Sequence, residues 1–176
     1  MSRRGKLLLH VCCAPCTIGV LEPLRRAGWQ VTALWYNPNI HPGSEYRRRE
    51  KTFLDFAPTV ELSVIRPFDY DIIEYLRQVA YREQDRCMFC YRLRLGRTAR
   101  LAAKGGYDAF ASTLMLSPYQ DHELLCKMGE SAGRDNEIRF FYEDFRDCFQ
   151  SSLQSALESG LYLQKYCGCI YSEVGI

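Results

Sequence analysis

The chain has 176 residues, 47% of them hydrophobic, with 23 Lys and Arg against 21 Asp and Glu. That length fits one domain, at roughly 100–200 residues per domain, and an ordinary charged fraction of 25% excludes a disordered polymer. A net charge of +2 excludes bulk attraction to nucleic acid, so such a contact must come from a local patch.

Lys6–Val11 is a short apolar run that ends in cysteine and reads as a buried strand. Thr17–Ala27 places Ile18, Leu21 and Leu24 at helical spacing before Gly28. Val31–Tyr36 is a second strand, closed by the turn residues Asn37-Pro38-Asn39. Pro42 opens a helix to about Phe56, and Val60–Ile65 is a third strand. Asp71–Val79 and about Met88–Lys104 are helical, the second stopped by Gly105-Gly106. Ala109–Met115 is a fourth strand, Asp121–Ala132 a helix ending near Gly133, Ile138–Tyr142 a fifth strand and Asp147–Ser159 a last helix. The tail from Tyr166 to Ile176 reads as irregular. Strands alternating with helices imply βαβ units and a mostly parallel sheet flanked by helices. Such sheets bind ligands beyond the carboxyl ends of their strands. The first two strands run straight into Cys12-Cys13-Ala14-Pro15-Cys16 and Tyr36-Asn37-Pro38-Asn39-Ile40-His41-Pro42.

Arg3, Arg4 and Lys6 before the apolar stretch Leu7–Leu21 have the outline of an export signal. The stretch holds His10, Pro15 and three cysteines, and no small-x-small cleavage site follows, so export is not expected. Its uncharged run falls short of the roughly 20 residues a membrane span needs. We expect no membrane partner.

Nine cysteines is an odd number, so complete disulfide pairing is impossible. In a chain with its own core, clustered cysteines point to metal or redox chemistry in a reducing cytosol. Seven fall in three groups: Cys12, Cys13 and Cys16; Cys87 and Cys90; Cys167 and Cys169. Cys126 and Cys148 stand alone and read as buried packing residues. Cys87 and Cys90 share one helix face near a helix start, where unpaired N–H groups favour thiolate. With Cys12 and Cys13 they offer four thiolates, which suits a 4Fe–4S cluster and also a structural zinc ion. The adjacent Cys12-Cys13 pair is poor at filling two corners of a zinc tetrahedron and tilts the choice toward iron–sulfur. Cys13-Ala14-Pro15-Cys16 between strand and helix also matches a thioredoxin-like C-x-P-C site, a thiol–disulfide oxidoreductase. Cys167-Gly168-Cys169 is either a strained, redox-active disulfide pair or two ligands of a second metal, which Cys16 could join. Tyr162, Tyr166, Ile170 and Tyr171 favour docking of the tail 161–176 onto the site edge of a single domain spanning 1–176.

His10 precedes the cysteines and His41 lies in the loop after the second strand; both are proton-donor candidates. Glu45 and Arg49 form an i, i+4 pair. Tyr36 and Asn37 stand at a strand end, and Ser117 and Tyr119 follow the fourth strand, so all four are placed to contact a ligand. Arg47, Arg48, Arg49, Arg92, Arg94, Arg97, Arg100 and Lys104 form two basic stretches that would track phosphates if they border one edge.

The segments His10-x-Cys12-Cys13-Ala14-Pro15, Tyr36–Pro42 with Glu45-Tyr46, Cys87-x-x-Cys90-Tyr91-Arg92-Leu93, Ser112-Thr113-Leu114 through Ser117-Pro118-Tyr119, and Tyr166-Cys167-Gly168-Cys169-x-x-Ser172 occur in this order. Over about residues 7–173 the chain resembles the cobalamin-independent epoxyqueuosine reductases, the QueH family. The resemblance implies a Rossmann-like, HUP-type α/β fold. It implies reduction of the epoxide of epoxyqueuosine to queuosine at the wobble position of tRNA, in the cytoplasm. It implies a 4Fe–4S cluster on Cys12, Cys13, Cys87 and Cys90, and an adjacent iron or zinc ion. Cys167 and Cys169 would be a redox pair or ligands of that ion. The position of Cys16 is often Asp in this family, and either side chain can bind a metal. Tyr36, Tyr46, Tyr91 and Tyr119 would stack on the extruded base, while Asn37, Ser117, Arg49 and Arg92 would hold the substrate. An electron donor, unidentified, is also required. The alternative from another class is a zinc-stabilised RNA-binding module without catalysis.

Overall fold

A computed structural model describes residues 5–67 and 69–173. Five parallel strands form one sheet in the order β3-β2-β1-β4-β5: β1 is Gly5–Val11, β2 Trp29–Trp35, β3 Ser63–Ile65, β4 Ala109–Ser112 and β5 Arg139–Phe140. β1 is central, and Leu7, Leu8, Leu9 and Val11 are all fully buried. A strand covered on both faces reads as a continuous apolar run, which is what Lys6–Val11 showed. The single α/β domain with a parallel sheet flanked by helices is therefore as expected.

The helices are α1 (Ala14–Arg26), α2 (Gly43–Phe56), α3 (Ile73–Val79), α4 (Arg86–Lys104), α5 (His122–Asp135), α6 (Phe149–Glu158) and α7 (Ile170–Glu173). α1 packs with α6 and α2, and α4 packs with α5 and α3. α1 starts three residues earlier than its apolar spacing suggested. Cys13 caps it, its Sγ accepting the Cys16 N–H at 3.4 Å, and Pro15 sits in the first turn where its missing N–H costs nothing. The third strand starts later than expected because Ala57–Val60 forms a 3-10 turn, ended by Glu61 in the left-handed region at φ 51°. The fourth strand ends at Ser112, whose hydroxyl accepts the Leu114 N–H at 3.1 Å and turns the chain into a 3-10 segment, Thr113–Leu116. The fifth strand is two residues long, and the tail, expected to be irregular, carries the short α7. No helix among the described residues is long and apolar enough to cross a membrane.

Candidate metal centre and its cavity

The strand order reverses direction between β1 and β4, and a doubly wound sheet has its crevice at that point, beyond the strand ends. Cys12 and Thr113 are the residues that follow those two strands. The Cys12 N–H donates to Thr113 Oγ1 at 3.0 Å, and the Thr113 hydroxyl donates to Cys12 Sγ at 3.2 Å. Gln164 from the tail donates its amide N–H to Cys13 Sγ at 3.0 Å. The sulfurs of Cys12, Cys13 and Cys16 lie within 4.8 Å of one another and are buried. Three convergent sulfurs are a metal-binding donor set of the soft kind.

This triad opens into a cavity of about 730 Å³. Cys12 and Cys16 line it from the β1–α1 junction, Cys87 and Cys90 from the first turns of α4, and Cys167 and Cys169 from the tail. Six thiols from three distant segments thus face one space. Cys90 Sγ accepts from Arg94 Nη1 at 3.4 Å, and Cys169 Sγ lies 3.0 Å from Tyr75 Oη. The carbonyl Oε1 of Gln164 is buried at the cavity wall with no hydrogen-bond partner among the described residues. A sulfur-rich wall with an unpaired amide oxygen fits thiolate-bound metal.

Charge in the triad is uneven. Hydrogen bonds from Cys13 and Cys16, helped by Arg94 and Thr113, hold Cys12 well below the usual thiol range against the cost of burial. Burial pushes Cys13 up, and donation to Cys12 pushes Cys16 up. Of the three, Cys12 is the one whose surroundings favour the thiolate. Burial also raises Cys87, and raises Cys90 to about 11 despite Arg94 beside it.

All nine cysteines are free thiols. The disulfide alternative for Cys167 and Cys169 is not formed: Cys169 is buried against Tyr75, while Cys167 is exposed. Gly168 between them has φ +109°, and a Cβ there would come within 2.8 Å of Ile40 Cγ1. The C-x-P-C thioredoxin-like reading fails on access. Cys13 is 1% exposed and Cys16 is 6% exposed, so neither can reach a disulfide on another protein.

Of the residues predicted to bind substrate, Tyr91, Ser117 and Tyr119 line the cysteine cavity. Tyr91 is buried, with its hydroxyl donating to Gln120 Oε1 at 2.9 Å. Tyr119 is 83% exposed and packs edge-on against Phe149, leaving ring surface toward solvent. Tyr36, Asn37 and Tyr46 line a separate cavity of about 270 Å³, together with Asp71, Glu74 and Arg97. Tyr46 is a core residue whose hydroxyl accepts from Trp35 Nε1 at 2.9 Å and donates to Glu50 at 3.0 Å. Arg92 is exposed and lines neither cavity.

Arg49 reaches the cavity but has its donors occupied. Nε pairs with Glu45 at 2.6 Å, Nη1 donates to the Cys167 carbonyl at 3.1 Å and Nη2 to the Tyr166 carbonyl at 2.9 Å. Glu45 also accepts from the Tyr162 hydroxyl at 2.8 Å, and the Gly168 carbonyl accepts the His41 N–H at 2.7 Å. Tyr166 donates to the His41 carbonyl, and the His41–Pro42 bond is cis. Arg49 and His41 thus grip the segment that carries Cys167 and Cys169, the former with its side chain and the latter with its backbone.

His10 lines neither cavity. Its Nδ1 lies 2.8 Å from Ser112 Oγ, and Arg94 Nε donates to its Nε2 at 3.2 Å. The same Nε2 also lies 3.1 Å from the Tyr36 carbonyl, so the ring edge sits between a guanidinium donor and a carbonyl acceptor. Burial, and then Arg94, lower the imidazole from 6.5 to about 3, which keeps it neutral. Sequence reasoning placed Arg94 in a basic stretch, had Thr113 only as part of the segment after the fourth strand, and passed over Tyr75 and Gln164. For Arg94 a signal existed, the i, i+4 spacing from Cys90; the other three meet the sulfurs through tertiary contacts alone.

The family model for epoxyqueuosine reductase QueH matches residues 7–175. The chain is similar to the epoxyqueuosine reductase QueH of Dehalococcoides mccartyi, 38% identical over 168 residues that cover 96% of this chain and 92% of the relative. It is similar to that of Streptococcus pyogenes, 34% identical with 97% and 71% covered, and to that of Thermotoga maritima, 33% identical with 96% and 90% covered. Among solved structures, the U34-tRNA thiolase NcsA of Methanococcus maripaludis, with its [4Fe-4S] cluster, superposes at a TM-score of 0.60 and 14% identity. The match covers 97% of this chain and 62% of that one. A predicted subunit of tRNA methyltransferase from Methanocaldococcus jannaschii gives 0.51 at 15% identity, covering 86% of this chain and 75% of that one. At these identities the two structures speak to the fold.

Proposed function

The chain belongs to the epoxyqueuosine reductase QueH family, and on that premise we propose that it reduces the epoxide of epoxyqueuosine to queuosine in tRNA, in the cytoplasm, with an iron–sulfur centre held by its clustered cysteines. The observation that carries this reading is the facing of Cys12, Cys16, Cys87, Cys90, Cys167 and Cys169 onto one cavity at the switch point of the sheet.

Removing an epoxide oxygen to leave an alkene consumes two electrons and two protons and releases water. A [4Fe–4S] cluster on Cys12, Cys13, Cys87 and Cys90 would supply electrons, and an iron or zinc ion on Cys16, Cys167 and Cys169 would polarise the epoxide oxygen. The protein's own groups do the rest. Tyr119 at the rim offers a ring face on which a base flipped from the anticodon stacks, and Tyr91 and Ser117 continue that wall inward. Arg86 and Lys165 border the same opening, Lys165 exposed and Arg86 half-buried, and suit phosphates. Burial holds the Tyr75 phenol far above its ordinary value, so its proton stays on oxygen beside Cys169. Tyr75 is therefore a neutral hydroxyl in hydrogen-bond range of Cys169, and His10 lies away from the cavity.

The test is anaerobic purification with iron and acid-labile sulfide analysis, followed by a reductive assay on tRNA that bears epoxyqueuosine. Iron, sulfide and queuosine formation are expected. A colourless protein with stoichiometric zinc and no turnover would overturn the reading in favour of a zinc-stabilised RNA-binding module.

A further inference from the structure

A buried cation stands against the thiols with no carboxylate to balance it. Arg94 is 2% exposed. Its Nη2 donates to Asn37 Oδ1 at 2.8 Å, its Nε to His10 Nε2 at 3.2 Å and its Nη1 to Cys90 Sγ at 3.4 Å. Asn37 and the imidazole are neutral acceptors, and Asn37 is itself fixed by donating to the Val11 carbonyl at 2.9 Å. Among the described residues Arg94 takes part in no ion pair with Asp or Glu, although Arg49, equally buried, has Glu45. A guanidinium does not deprotonate in a protein, so burial cannot neutralise it. An unpaired buried charge is among the most destabilising features a fold can carry. The anion it needs must therefore come from the sulfur side, where Cys90 is in contact and Cys12 faces the same cavity.

We propose that Arg94 is the buried counter-cation of the thiolate centre, acting by its charge and by the Nη1–H···Sγ bond to Cys90 to raise the reduction potential of the metal group bound there. The physical reason is that each electron added to such a group adds negative charge. A fixed cation in a low-dielectric wall stabilises the reduced form over the oxidised one. Hydrogen bonds to ligand sulfur act in the same direction. His10 and Asn37 serve Arg94 as positioning residues: their acceptors fix the guanidinium plane so that Nη1 meets Cys90. This assigns His10 a role distinct from proton donation.

The inference rests on the iron–sulfur reading, and the experiment separates the two. Wild type, Arg94→Met, Arg94→Lys and Asn37→Asp are prepared anaerobically, analysed for iron and sulfide, and titrated by spectroelectrochemistry. Absence of iron and sulfide from the wild type would sink the cluster reading itself. With a loaded wild type, Arg94→Met is expected to weaken one-electron reduction at least tenfold, equivalent to about 59 mV toward lower potential. Arg94→Lys should restore most of that loss, because the charge returns. Asn37→Asp leaves Arg94 in place but puts a carboxylate on its Nη2, so it should lower the potential as well, and it decides the question if Arg94→Met does not fold. A potential unchanged within twofold in Arg94→Met, or in Asn37→Asp where Arg94→Met fails to fold, overturns the assignment.

Discussion

The tail that carries Cys167 and Cys169 hangs on Arg49, and removing that side chain should loosen it measurably. Arg49 and Glu45 are 2% and 10% exposed at their side chains and meet at 2.6 Å, so solvent screens the pair little. In Arg49→Met the Glu45 carboxylate keeps the Tyr162 hydroxyl but loses its counter-charge, and the carbonyls of Tyr166 and Cys167 lose their donors. Removing one partner of a buried pair costs about 3–5 kcal/mol. The two carbonyls can rehydrate when the tail lifts and add little. A cost of that size, at about 1.4 kcal/mol per decade, raises the population of tail-open molecules by roughly two to nearly four decades, up to the stability of the whole fold. Arg49→Lys keeps a charge for Glu45 but not the fork to both carbonyls, and should lose about 1.5–3 kcal/mol. The assay is mass-resolved alkylation of metal-free protein. Cys169 is buried and Cys167 exposed, so Cys167 is an internal reference whose rate should hardly move. The Cys169 to Cys167 labelling ratio should climb steeply in Arg49→Met and less in Arg49→Lys. A ratio within threefold of wild type in Arg49→Met would refute the clamp.

His10 has a folded pKa of about 3 against an ordinary 6.5, so acid favours the unfolded chain: the stability it supports is complete above about pH 6.5 and falls by about 1.4 kcal/mol per unit as pH drops toward 3. Metal-free wild type should therefore lose about 2.7 kcal/mol from this group by about pH 4.5, and His10→Gln should show a flatter urea-midpoint profile; equal slopes would contradict the buried neutral imidazole. A Cβ at Gly129 would run into the Phe140 ring, so Gly129→Ala should cost roughly 1–3 kcal/mol by overpacking between α5 and β5, and an unchanged thermal midpoint would show that the ring has room to move. Cys12→Ala and Cys87→Ala should each lose iron and turnover together, whereas Cys167→Ala should keep the cluster, read as acid-labile sulfide, but lose turnover; iron retained at wild-type level in Cys12→Ala would remove it from the ligand set.

Much of the fold is legible because its signals are local. A continuous apolar run made β1 a central strand, and turn residues at Asn37-Pro38-Asn39 and Gly105-Gly106 closed elements where the structure ends them, to within a few residues. The βαβ pattern and the strand-end rule put Cys12, Cys13 and Cys16 at the edge of the sheet, whereas Cys87, Cys90, Cys167 and Cys169 reach it through tertiary packing. The basic stretches were harder, because Arg47, Arg48 and Arg49 look alike in composition. Only Arg49 lies on the inward face of α2 with Glu45, Phe53 and Phe56 at three- and four-residue spacings. The same logic separates Arg94 from Arg92 and Arg100: Cys90, Tyr91, Arg94, Leu95, Thr98, Ala99 and Ala102 form the buried stripe of α4. Helical phase, rather than charge count, distinguishes a structural arginine from a surface one. What no local pattern carries is the tertiary meeting of Tyr75 with Cys169, or of Gln164 with Cys13.

These buried groups also explain why metal loading and folding should be coupled. Without metal, burial raises the Cys90 thiol to about 11 and pushes Cys13 up, while the surroundings of Cys12 pull it down. Arg94 then has a partial counter-charge at best, so the metal-free fold retains an electrostatic penalty at the junction of β1, α1 and α4. Binding metal displaces thiol protons, and each released proton leaves negative charge where Arg94 already waits. Two unfavourable features of the empty site, protonated ligands crowded together and a buried cation with too little anion beside it, would thereby be removed in one event. The arginine cannot have been placed to stabilise the empty fold, since an apolar residue of similar size would do that better. Its position suits a centre whose sulfurs carry negative charge, which is what the proposed metal group would bring.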